Sequence, residues 1–312
     1  MDDFQTYSPE EIILSNLDEL FQRALRQNEQ ELAHLRELAV EIASGFSDNL
    51  SFMASLPDHR LSLTEELPQI SAHIASISPS LCAQMSTRWK VLLCMELRKR
   101  IPSPETFWQD VFPAGEELSE FSLNRISYQK NNYTEKAFQR FSVLLGEAKA
   151  AYAHSFPSVC EDVYNGISEY CILPIENSTE GRLVSFTRLI SQFDLKIVAT
   201  CDVRSGEDKT TRFALLRRGF SRWQASDGDP MYYEISGMLL DSPQPEDLFS
   251  AARLCGLTLE SADVKFSEQS KEHVLHAVFL IGDGDLSAFL LYLAMECPAV
   301  SIMGRYPNLL LK

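Results

Sequence analysis

Near residue 100 the apolar residues change their period, and that change constrains the fold more than any single motif. Before it, Ile13, Leu17, Leu20, Ala24, Leu32, Leu35, Leu38 and Ile42 recur at the spacing of one helix face. Ser8, Pro9 and Glu11 supply a cap, a proline at the first helical position and a capping-box glutamate. A helix is expected to open there and run to about Ser44, ahead of Gly45. A second is expected from about Thr64, and a third through SLCAQMSTRWKVLLCMELRKR, ending before Pro102. IPSPETFWQDVFPAGEE, with three prolines, then reads as a linker carrying a docked aromatic segment.

After the linker the chain alternates short strands with helices. NRISYQ, EYCILPI, LKIVATCDV and TRFALLRR read as strands, and YTEKAFQRFSVLLG and RLVSFTRLISQF as helices. Beyond the turn-rich SDGDP the order is strand, helix, strand, strand, helix, strand, ending in AVSIMG. That order is the split-βαβ, ferredoxin-like arrangement. The expected fold class is multi-domain α and α+β. A helical bundle spans 1–101, a linker 102–120, a small α/β lobe 121–225 and a ferredoxin-like βαββαβ module 226–312.

Composition removes several classes of function. Lys plus Arg number 28 against 44 Asp plus Glu, a net charge of −16, which repels nucleic-acid phosphates and anionic lipids. No nucleic-acid or membrane partner is expected. The cysteines at 82, 94, 160, 171, 201, 255 and 297 form no CxxC pair and sit mostly in apolar runs. They read as reduced core residues of a cytoplasmic protein, not as a disulfide frame or zinc site. The acidic start MDDFQTYSPEE has no apolar signal-peptide region, and no apolar run is long enough to span a bilayer. His273 and His276 stand three apart in a strand and so face opposite sides; no metal is expected.

The stretch ILPIENSTEG, 172–181, ends a buried strand on a polar cluster. Two readings stand side by side. In one, Ser178 or Thr179 caps the helix RLVSFTRLISQF, with Glu180 in its first turn. In the other, hydroxyls and amides ahead of that helix's unpaired N–H groups make a carboxylate pocket.

LPIENSTEG resembles the PIENS-x-EG motif of prephenate dehydratases, and Thr211, Arg212 and Phe213 resemble the family's Thr-Arg-Phe at a strand start. The resemblance implies Thr211 as the acid that protonates the departing ring hydroxyl while carbon dioxide leaves. It implies Glu176, Asn177, Ser178, Thr179, Glu180, Arg212 and Phe213 as substrate-binding residues. The C-terminal module resembles the ACT domain that follows these dehydratases, with LTLESADV and MGRYP at the family's motif positions. By that likeness Leu248, Glu260 and Ser261 fall at its effector site. LRELAVEIA, 35–43, is similar to the first helix of AroQ-type chorismate mutases, so the order mutase, dehydratase, ACT matches bifunctional P-proteins.

The departures are specific. Asp18, Leu35 and Phe46 stand where the mutase helix carries two arginines and a lysine, so mutase activity is not expected. Only 29 residues separate Gly181 from Thr211, where the family holds its second lobe. The family's glycine-rich loop reads YQKNN, 128–132, and Ala262 and Asp263 replace the arginine and proline of the effector motif. The expected function is therefore a prephenate dehydratase-like protein of phenylalanine biosynthesis with reduced or lost activity. The alternative is a non-catalytic, dimerising relative that binds a ligand or a pathway enzyme. A third reading keeps the motif for packing alone. The expected partners are a small anionic substrate such as prephenate and a second copy of the chain, with no cofactor.

Overall fold

The computed structural model describes scattered positions of a helical stretch between 26 and 44, and residues 86–100, 123–204, 209–220, 230–238, 244–267, 272–297 and 299–309. The expected helix near Thr64, the linker 102–120 and most of the SDGDP turn lie outside them.

The α/β half runs β1 (Arg125–Gln129), α2 (Asn132–Leu145), β2 (Lys149–Ala153), α3 (Phe156–Tyr164), β3 (Tyr170–Asn177), β4 (Gly181–Arg182), α4 (Val184–Gln192), β5 (Leu195–Arg204) and β6 (Thr210–Arg218). It follows α1 (Thr87–Arg100). β1 is parallel to both β2 and β3, so the winding reverses at β1. α2 covers one face of the sheet, and α3 and α4 the other. A strand buried on both sides reads as an unbroken apolar run, and in β3 Tyr170 and Ile172 enter the α2-side core while Cys171 and Leu173 enter the opposite one. Sequence reading passed over β2 and α3 between its expected helix and EYCILPI. α3 is nine residues long, and Ser155 caps it with Pro157 in its first turn.

The C-terminal half runs β7 (Met231–Met238), α5 (Pro245–Leu254), β8 (Thr258–Ser267), β9 (Glu272–Leu280), α6 (Leu286–Glu296) and β10 (Val300–Leu309). Its strands lie antiparallel in the order β10-β7-β9-β8. β10 runs on through the GRYP stretch and pairs in parallel with β5. One sheet, β2-β1-β3-β6-β5-β10-β7-β9-β8 with β4 attached to β3, therefore crosses the position expected to divide two domains.

α1, expected in the N-terminal helical unit, packs on α5 and α6. Trp89, Leu93, Cys94 and Leu97 join Leu248, Phe289 and Tyr292 in the core of the C-terminal half. Lys90 pairs with Glu296 at 2.6 Å, and the Thr87 hydroxyl donates to Asp247 at 2.6 Å. The described cysteines are all free and buried, and burial pushes the Cys201, Cys255 and Cys297 thiols up to about 12. At such values they are thiols at neutral pH, not nucleophiles.

The β5–β10 seam needs a glycine. A Cβ added to Gly304 would press into the backbone oxygen of Ile197 on the neighbouring strand. Gly304→Ala is expected to cost about 1–3 kcal/mol, the range for overpacking a tight contact, read as a fall in urea midpoint. An unchanged midpoint would show that the seam is loose.

Candidate functional site

The polar cluster does not cap a helix. α4 begins at Val184, its N-cap is Leu183, and no side chain caps it. Residues 178–180 instead form a turn that folds β4 back on β3, pairing Gly181 with Asn177 and Arg182 with Glu176. This corrects the expectation that Ser178 or Thr179 caps that helix.

Local chemistry explains the correction. The Asn177 side-chain oxygen accepts from the backbone N–H groups of Thr179 at 3.0 Å and Glu180 at 2.6 Å. This Asx turn captures the donors that would otherwise open a helix. Gly181 follows at φ +71°, a left-handed conformation that costs other residues energy. Ser178 ties the turn to β6: its N–H donates to the Thr210 carbonyl at 2.9 Å, and its hydroxyl accepts from the Thr210 N–H at 3.1 Å.

The expected binding residues divide between two faces. Asn177 stands opposite Thr211, and Glu176 opposite Arg212, across β3 and β6. Side chains alternate along β6. Thr211 lies on the α2 side with Phe213 and Leu215, and Arg212 on the α3–α4 side with Ala214 and Leu216. Phe213 is buried in the α2-side core, whereas Ser178, Thr179 and Glu180 are exposed in the turn. Thr211 is half-buried, beside the reversal of the winding between β1 and β3. Open α/β sheets commonly bind ligands at the carboxyl ends of such strands.

The expected effector residues also separate. Leu248 is fully buried on the inner face of α5, while Glu260 and Ser261 are exposed on β8 at a shift in its pairing with β9.

The α3–α4 face carries a charged network. Arg212 donates from Nε to Asp202 at 2.8 Å and reaches Glu176 at 3.5 Å. Although burial disfavours its charge, hydrogen bonding and charge from Asp202 hold its pKa above the usual value. Asn308 of β10 donates to Asp202 at 3.4 Å and accepts from the Thr200 hydroxyl at 3.1 Å.

The network's second centre is Glu234 of β7, which has no exposed surface. Arg182 of β4 and the Tyr306 hydroxyl of β10 donate to it, and His276 Nε2 of β9 lies 2.9 Å away. Burial pushes the Glu234 carboxyl up, but Arg182 and His276 outweigh it, with help from Tyr306, and hold it below the usual carboxylate range. Burial and the adjacent Glu234 raise the Tyr306 phenol well above its usual value. Arg182 Nε is buried without an acceptor among the described residues. Sequence reading missed Glu234, Asp202 and Tyr306 as site residues. The available signal was a lone glutamate inside the apolar strand MYYEISG.

Residues 129–205 match the family model for prephenate dehydratase. That stretch holds the motif turn but not Thr211. No curated protein matches the chain significantly. Among solved structures, similarity is found to prephenate dehydratase from Streptococcus mutans, with 19% identity, 59% of this chain and 98% of that chain covered, and a TM-score of 0.48. Prephenate dehydratase from Arthrobacter aurescens in complex with L-Phe gives 13%, 58% and 89%, with a TM-score of 0.45. A structure described as a novel type of quorum-quenching acylase gives 17%, 59% and 95%, with a TM-score of 0.45.

Two measurements test this geometry. Asn177→Ala is expected to lower stability by about 0.5–2 kcal/mol, the cost of losing a capping side chain. Glu234, with its folded pKa below its unfolded value, adds stability that is fully present above about pH 5 and lost as pH falls through the carboxylate range. Glu234→Ala is expected to cost about 3–5 kcal/mol at pH 7 by stranding Arg182, and to flatten the acid limb of a Tm-versus-pH curve. An acid limb as steep as in the parent protein would assign that limb to other carboxylates.

Proposed function

We propose that this chain is a prephenate dehydratase-like protein of phenylalanine biosynthesis, binding a small anionic ligand such as prephenate with reduced or lost catalysis. The match over residues 129–205 supports the dehydratase-like lobe. The observation that carries the loss is the commitment of the two arginines nearest the motif, Arg182 to Glu234 and Arg212 to Asp202 and Glu176. A dianionic substrate needs donors already free to receive it. The protein is further proposed to be cytoplasmic, with a helical N-terminal region derived from a mutase and a C-terminal module of the ACT type. Among the described residues no helix is long and apolar enough to cross a membrane.

The deciding experiment measures phenylpyruvate formation from prephenate at neutral pH, beside a protein-free control and Thr211→Ala. Rates equal to both controls are expected. Turnover above both would establish an active dehydratase and overturn the reading of lost catalysis.

The reading as a dimerising, non-catalytic protein has its own support. Among the described strands β8 is a ten-residue edge strand, exposed along most of its length, with Leu259 and Val264 open to solvent. Such an edge invites pairing with another strand. A second copy laid antiparallel with Val264 opposite its counterpart sets Asp263 of each chain across from Lys265 of the other. That contact is self-complementary, as a two-fold dimer requires. The parent protein is expected to elute as a dimer in size-exclusion chromatography with light scattering, and Val264→Asp as a monomer. A monomeric parent would rule the pairing out.

A further inference from the structure

Two sets of contacts hold the motif turn from opposite sides. On one side the Asn177 side chain and the Ser178–Thr210 bonds fasten it to its own strands. On the other, Arg182, the second residue of β4, reaches into the C-terminal module and pairs with Glu234, 52 residues further along the chain. β4 is only two residues long and pairs with β3 alone, so its backbone bonds alone hold it weakly. The Arg182 side chain is 12% exposed and Glu234 wholly buried, so water does not screen the pair. Glu234 is itself fixed from two more strands, by His276 at 2.9 Å and by the Tyr306 hydroxyl. An anchor held by β7, β9 and β10 thus sets where the chain goes as it leaves the turn.

We propose that Glu234 is a positioning residue for the motif turn, and that the C-terminal module is thereby a structural part of the candidate site. Through Arg182 it fixes the exit of the turn and keeps Asn177 and Ser178 in place. The functional half of this inference rests on the ligand-binding reading above; the structural half does not.

The test uses the full chain and follows amide exchange in a peptide covering residues 176–184, with and without prephenate. Glu234→Gln keeps the shape and removes the charge. The comparison is a core variant away from the network, Leu275→Ala or the milder Leu275→Val, whichever matches its fall in Tm. Exchange at the turn is expected to be about tenfold faster in Glu234→Gln than in the matched core variant, because local opening is set by local contacts. Equal exchange in the two variants would overturn the proposal and leave Glu234 as one more contributor to overall stability. Should Glu234→Gln not fold, the double variant Arg182→Gln with Glu234→Gln leaves no lone buried charge, and the same exchange comparison decides. In equilibrium dialysis prephenate is expected to bind the parent at least about tenfold more tightly than Glu234→Gln, a coupling of ordinary size. Unchanged affinity in Glu234→Gln would overturn the functional half. A parent that binds no prephenate would overturn the proposed ligand, and the exchange arm would still decide the role of Glu234.

Discussion

Glu234 carries a negative charge to a place with no exposed surface, and the shape of the sheet around it follows from how that charge is answered. Removing a carboxylate from solvent costs several kcal/mol, and only well-placed donors offset the loss. The donors come from β4, β9 and β10. A shift of one residue in the pairing of any of these strands would turn its donor to the opposite face. An apolar residue at 234 would tolerate such a slip, and the carboxylate does not. The network therefore favours one register of pairing among these strands.

The seam between β5 and β10 has the same dependence. Parallel pairing across it joins a doubly wound lobe to an antiparallel module without a break in the sheet. Gly304 permits the backbones to meet. Asn308, four residues on, bonds to Thr200 and Asp202 of β5, and Asp202 in turn grips Arg212. A polar path thus runs from the last strand of the chain to the strand that carries the motif's arginine. The two halves share a site because they share a sheet, and the core on the α3–α4 side runs through the join, with Met303 and Tyr306 beside Ile197.

How much of this was legible depends on the range of the interaction concerned. The change of period near residue 100, the strands EYCILPI and TRFALLRR and the alternation beyond them follow from local burial patterns, and the structure places strands and helices there. β2 and α3 were passed over because KAAYA has too few large apolar residues to announce a strand, and α3 is only nine residues long. Of the two readings the motif leaves open, the helix cap rests on Ser and Thr before a helix usually capping it. Asn177 won instead, binding two N–H groups before the helix could start. The separation of Thr211 from Arg212 was legible in principle, since neighbours on a strand face opposite ways. The pairing of Arg182 with Glu234 was not, because nothing local to either residue names the other.

The charge balance around the motif decides what kind of event binding would be. Glu176, Asp202 and Glu234 supply three carboxylates against the guanidiniums of Arg182 and Arg212. A carboxylate ligand arriving there exchanges one charge-assisted hydrogen bond for another of similar strength. If it displaces Glu234, it also leaves a buried charge without its partner, which costs more than the exchange returns. Displacement of Glu176 costs less, because that side chain is 41% exposed and regains water when released. Arg212 is therefore the arginine that can change partners, and Arg182 the one that cannot. Such a site would take up an anion by exchange at one arginine while the other stays fixed. That arrangement suits selective, modest binding better than the simultaneous grip on two carboxylates that fast turnover of a dianion requires.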